Sequence, residues 1–107
     1  MTGADASARG LCDGDIVKVY NDRGAYLAVA VITDEIIDGV VQTPTGAWYD
    51  PIDGVCVNGN PNTVTRDAGT SRLAQGSTGQ LCLVEIEKFV GAPPAGRGYA
   101  PPQFVVA

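Results

Sequence analysis

The sequence predicts an all-β domain, mainly β with one or two short helices, and three observations carry that expectation. About four short runs rich in β-branched and aromatic residues are each bounded by turn residues. Helical periodicity is nearly absent. One polar stretch, residues 46–76, is too long for an ordinary connection and too aromatic for a disordered linker. With 107 residues the chain is one small domain, and its strand pattern suits a small barrel or sandwich.

The elements follow in order. Residues 4–9 make a short helical turn, with Asp5 as N-cap and Gly10 as the stop. Leu11, Asp13, Gly14 and Asp15 turn into a first strand over residues 16–20. Asn21-Asp22-Arg23-Gly24 is a hairpin signal, with Gly24 supplying a positive φ. Residues 26–33, YLAVAVIT, return as a second strand, apolar enough to be covered on both faces. Asp34, Glu35, Asp38 and Gly39 mark another turn, and Ile36 and Ile37 are placed to plug the end of the core. Residues 40–43 form a third, shorter strand. The long loop follows, with length for one helical turn over residues 70–75. Residues 81–89, LCLVEIEKF, form the last strand. From residue 91 onward Pro and Gly dominate, so residues 91–107 read as an extended tail, its end (103–107) apolar enough for an edge contact. Four strands rarely close a barrel. The expected barrel is therefore incomplete on its N-terminal side, or completed by another chain.

Composition narrows the function. The chain is 45% apolar and 18% charged, with a net charge of -5. The seven basic residues are scattered, so a nucleic-acid backbone or an anionic membrane is not an expected partner. No long apolar run is visible, so no membrane insertion is expected. There is no His, which removes Ser-His and Cys-His pairings and most zinc sites. Cys12, Cys56 and Cys82 are far apart in sequence and read as free, buried, apolar residues. The acids around Asp13 and Asp34 lack EF-hand spacing and read as turn residues. No catalytic residue and no metal ligand are expected.

The long loop holds the candidate binding residues. Trp48 and Tyr49 can stack on a flat ring, or Trp48 can simply anchor the loop. Asn60 and Asn62 flank Pro61; an amide offers both donor and acceptor to the edge of a heterocycle, although Asn, Gly and Pro are also ordinary turn formers. Asp67 can accept two donors from a guanidine-like ring edge. Thr70 and Ser71, beside Gly69, offer hydroxyl and backbone donors to phosphate, or Asp67 and Thr70 cap a turn.

Four blocks, ADASARGLCDGDIVKVYNDRG, GVVQTPTGAWYDP, GNPNTVTRDAGTSRLAQG and LVEIEKF, occur in one order. Together they resemble the C-terminal molybdopterin-dinucleotide-binding domain of the dimethyl sulfoxide reductase family, over nearly the whole chain up to Phe89. Within that family the likeness is greatest to the trimethylamine N-oxide, dimethyl sulfoxide and biotin sulfoxide reductases. The resemblance implies a double-psi β-barrel-like domain over residues 1–90, with residues 91–107 as its tail. It implies a molybdenum cofactor with two molybdopterin guanine dinucleotides, and a parent oxidoreductase that reduces S-oxides or N-oxides by oxygen-atom transfer. Carried over by position, Trp48, Tyr49, Asn60, Asn62, Asp67, Thr70, Ser71 and Gln75 are its cofactor-binding residues. The family's molybdenum-ligating side chain belongs to another domain. The chain is thus expected to be a fragment of a larger reductase, with the remaining domains as its partners, and to be inactive alone. A standalone, non-catalytic β-barrel binding module is the alternative. A self-processing double-psi enzyme is a further one, since Gly76-Ser77 is a dipeptide of the kind such proteins cleave.

Overall fold

A computed structural model describes residues 1–44, 49–66, 71–73 and 81–91. Helix α1 spans Gly3–Ala8. Strands β1 (Ile16–Asn21), β2 (Gly24–Val29), β3 (Pro51–Ile52), β4 (Val55–Cys56) and β5 (Glu85–Lys88) follow, with a 3₁₀ turn at Pro61–Thr63 between β4 and β5. The strands form one open sheet in the order β3-β4-β2-β1-β5. The all-β class therefore holds, while the sheet does not close into a barrel among the described residues.

The hairpin of β1 and β2 is the centre of the sheet. Its register runs from Ile16↔Val29 to Asn21↔Gly24, leaving Asp22-Arg23 as a two-residue turn. The hairpin stands where the sequence placed it, but Gly24 does not take the left-handed φ expected of it. Strand β5 pairs antiparallel with β1, from Val17↔Lys88 to Tyr20↔Glu85. Opposed residues share a face, so Val17, Val19, Tyr26 and Ile86 lie together in the core with Cys56 and Val64. The other face carries Lys18, Tyr20 and Glu87. Lys18 Nζ stands 3.8 Å from Glu87 and 5.1 Å from the Tyr20 ring centre.

Several expectations are corrected. The N-cap of α1 is Thr2, whose hydroxyl accepts from the Asp5 N–H at 3.3 Å; Asp5 sits inside the first turn. The stop is as expected: Gly10 has φ 66, and the N–H groups of Gly10 and Leu11 return to the carbonyls of Ser7 and Ala6. The apolar run after Leu27 leaves the ladder at Val29. Its backbone is satisfied elsewhere, by Asp15 to Ala30, by Asp13 to Ile32 and by Met1 to Val31 and Thr33. Val29 and Val31 are mostly exposed, so only one face of this run is covered.

Residues 40–43 are not a strand. The segment is tied instead by Thr43 Oγ1, 2.8 Å from the Tyr26 hydroxyl, whose burial pushes its pKa up. Ile37 is 74% exposed and plugs nothing. The last strand is confined to β5, because Leu81 and Leu83 stand out from the sheet. Of the cysteines only Cys56 is buried; Cys12 and Cys82 are exposed.

The largest correction lies inside the stretch read as loop. Asp53-Gly54, with φ 52 and 79, forms a tight turn joining β3 to β4. Both residues in the left-handed region is the pattern of the primed hairpin turns that Asp-Gly favours. β4 then lies parallel to β2 through the pair Tyr26↔Cys56. The loop is thereby pinned to the middle of the sheet, next to the tip of the central hairpin.

Candidate functional site

Three short pieces of backbone meet at one end of the sheet. The tip of the β1–β2 hairpin brings Arg23, Gly24 and Ala25. The β3–β4 turn brings Gly54, with Tyr49 just before it. The 3₁₀ turn brings Asn60, Asn62 and Thr63. These residues line one groove of about 370 Å³, within the size range of small-molecule sites.

Local chemistry shapes the 3₁₀ turn. Asn60 is its N-cap, and its side-chain oxygen accepts from the Asn62 N–H at 3.0 Å. Pro61 takes the first helical position, where a missing N–H costs nothing. The Asn60 carbonyl accepts both the N–H of Thr63, at 3.4 Å, and its hydroxyl, at 3.1 Å. The turn packs directly on β2: a Cβ at Gly24 would lie 2.5 Å from the Thr63 carbonyl oxygen. Only glycine lets the two backbones come so close.

The hairpin tip holds the far end of the turn. Asn21 Nδ2 donates to the carbonyls of Val64, at 2.8 Å, and of Leu83, at 3.0 Å. Arg23 Nε donates to the same Val64 carbonyl at 2.8 Å, and Asn21 Oδ1 accepts the Arg23 N–H at 2.9 Å. Val64 itself is 2% exposed, so its carbonyl needs these donors. Hairpin tip, 3₁₀ turn and the segment entering β5 are one hydrogen-bonded unit.

Of the sequence-derived candidates, Tyr49, Asn60 and Asn62 come together in the groove. Tyr49 is 61% exposed, leaving ring surface open to a ligand. Ser71 lies exposed in the bend at 71–73, apart from the groove lining. Trp48, Asp67, Thr70 and Gln75 lie outside the described residues. Sequence reasoning missed Arg23, Gly24 and Gly54 as parts of the site. The Asp53-Gly54 hairpin signal was present in the sequence and would have placed Gly54.

The donor set fits one end of a nucleotide. The groove's described residues offer two amides, one guanidinium and one aromatic ring, and its volume suits a base rather than a whole dinucleotide. A larger hollow of about 980 Å³ runs along the sheet past Val17, Val19, Val41 and Asn58. Among the described residues it carries the Glu35 carboxylate and no Lys or Arg side chain. Among the described residues no three His, Cys, Asp or Glu side chains cluster as metal ligands, and no helix is long and apolar enough to cross a membrane.

The model of the family described as the Molydopterin dinucleotide binding domain matches residues 1–83. The chain is 47% identical over 107 residues to a trimethylamine-N-oxide reductase of Haemophilus influenzae, covering 94% of the chain and 13% of that enzyme. It is 51% identical over 92 residues to the trimethylamine-N-oxide reductase of Salmonella typhi, covering 81% of the chain and 11% of the enzyme. It is 45% identical over 95 residues to a dimethyl sulfoxide/trimethylamine N-oxide reductase of Cereibacter sphaeroides, covering 84% of the chain and 12% of the enzyme. The chain thus spans about an eighth of the length of the curated relatives it matches.

Proposed function

The chain belongs to the molydopterin dinucleotide binding domain family, and from that premise we propose that it binds molybdopterin guanine dinucleotide as part of a molybdenum oxidoreductase. The parent enzyme reduces N-oxides or S-oxides by oxygen-atom transfer. Trimethylamine N-oxide, dimethyl sulfoxide and biotin sulfoxide are the substrate types, in line with the named activities of the first two among its relatives. The remaining domains of that enzyme are this chain's partners, and the 107-residue chain alone is inactive. Its β-barrel domain, of double-psi type, ends near residue 90, with the Pro/Gly-rich stretch as a tail.

The division of labour is that of cofactor enzymes generally. The bound molybdenum cofactor supplies the oxygen-transfer chemistry, and the protein binds and orients it. Asn60 and Asn62 read the edge of a ring by amide donors and acceptors, and Tyr49 lies against its face. Trp48, Asp67, Thr70, Ser71 and Gln75 complete the cofactor surface.

The observation that carries the reading is the meeting of Tyr49, Asn60 and Asn62, separated by up to 13 positions, in one groove. Titration of GDP into the labelled chain, followed by amide shifts, tests it. Shifts grouped at Tyr49, Asn60 and Asn62 are expected. A well-dispersed spectrum that GDP leaves unchanged refutes the assignment.

A further inference from the structure

We infer that Arg23, at the tip of the β1–β2 hairpin, is the residue that takes the anionic diphosphate part of the nucleotide; the inference rests on the cofactor reading above. Among the described residues, the groove's other polar side chains are neutral amides and hydroxyls, which suit a base or a sugar. A diphosphate calls for a cation, above all on a chain with a net charge of -5. Among the described residues, Arg23 is the one Lys or Arg side chain in the groove lining.

Its guanidinium is already oriented. The Nε edge is fixed on the Val64 carbonyl at 2.8 Å, and the Arg23 N–H is fixed on Asn21 Oδ1 at 2.9 Å. That leaves the Nη side for a ligand. Its one described partner there is Asp22, at 3.8 Å, whose side chain is 90% exposed. An exposed pair at that distance holds the guanidinium weakly. A diphosphate, with more charge and several acceptor oxygens, displaces it readily, and arginine binds such oxygens through two donors at once. Fixing one edge of the fork also lowers the ordering cost of binding. The hydrogen bond that positions the turn thus also positions the cation beside it.

The experiment compares GDP, guanosine and inorganic pyrophosphate on the 107-residue chain and on R23Q, R23K and D22N, by calorimetry and amide shifts. R23Q is expected to weaken GDP about tenfold to a hundredfold, the loss of a charge-assisted contact, and to weaken guanosine far less, since guanosine feels only the lost Nε bond to the Val64 carbonyl. Pyrophosphate binding is expected to disappear in R23Q and to survive weakened in R23K. D22N, which removes only the exposed competitor, is expected to tighten GDP severalfold, and it decides the question should R23Q fold poorly. If GDP binds R23Q and D22N as it binds the unaltered chain, the inference falls while the cofactor reading stands. If neither GDP nor guanosine binds the unaltered, folded chain, both fall.

Discussion

Replacing Gly24 by Ala is the sharpest probe of how the groove is built. A Cβ there meets the Thr63 carbonyl oxygen at 2.5 Å and the Thr63 carbonyl carbon and Cβ at 3.3 Å. The obstacle is backbone, so no side chain can swing aside. The 3₁₀ turn must withdraw by about 0.5 Å to reach 3.0 Å, and by about 0.9 Å to reach ordinary contact. Overpacking of this kind costs about 1–3 kcal/mol. The loss of glycine's unfolded-state freedom returns about 0.4–1 kcal/mol. A net loss of about 1–2 kcal/mol is expected, read as a lower urea midpoint at unchanged slope. The displacement also reaches the ligand side, because Asn60 and Asn62 move with Thr63, which the Asn60 carbonyl holds twice. Two amide contacts set wrong at about 1 kcal/mol each weaken GDP by about 30-fold. Gly3→Ala is the matched control. Its Cβ meets only the Ile32 Cγ2 at 3.9 Å, inside a helix that favours Ala, so it should stabilise the chain. A Gly24→Ala chain as stable as the parent, with unchanged GDP affinity, refutes the reasoning that β2 and the turn are in direct backbone contact.

Two further outcomes are expected. The Ile86 N–H, at 3.1 Å, and then the Arg9 guanidinium, at 3.0 Å, hold the Glu85 carboxyl below its ordinary value of 4.5. A lowered folded-state value means that the contribution is present above about pH 4.5 and is lost as pH falls through the lowered value. Urea melts of the chain and of Glu85→Gln should therefore differ at neutral pH and converge in acid, whereas a constant difference contradicts the assignment. In the folded chain, a thiol reagent should modify Cys12 and Cys82 quickly and Cys56, at 0% exposure, only on unfolding. Mass spectrometry of the labelled chain reads this directly, and fast labelling of Cys56 contradicts its place beside Tyr26.

Much of the frame was legible in the chain because it rests on neighbours in sequence. The Asn21–Gly24 turn joins two adjacent apolar runs, and Gly10 stops a helix with nearby partners. The run VEIEK around Ile86 alternates, and its apolar member faces the core. Legibility failed where partners are remote. Residues 40–43 have the composition of a strand, yet among the described residues no ladder partner is presented to them, and Thr43 is tied to Tyr26 instead. Leu81 and Leu83 alternate like strand residues but lie beyond the end of β1. The pairing of Cys56 with Tyr26 joins segments thirty residues apart, and local pattern carries no information on it. Asp53-Gly54 was a local signal, obscured by the polar residues around it.

By itself the sequence determined the β class, the central hairpin, the family and the residue types that suit a cofactor, since these follow from short-range pattern and from motif order. The groove was decided by the tertiary structure alone. Arg23, Tyr49 and Asn60 become neighbours because β4 lies parallel to β2 and because Gly24 leaves room for the Thr63 carbonyl. Both are long-range backbone contacts, whose loop-closure cost is offset only once the whole sheet has assembled.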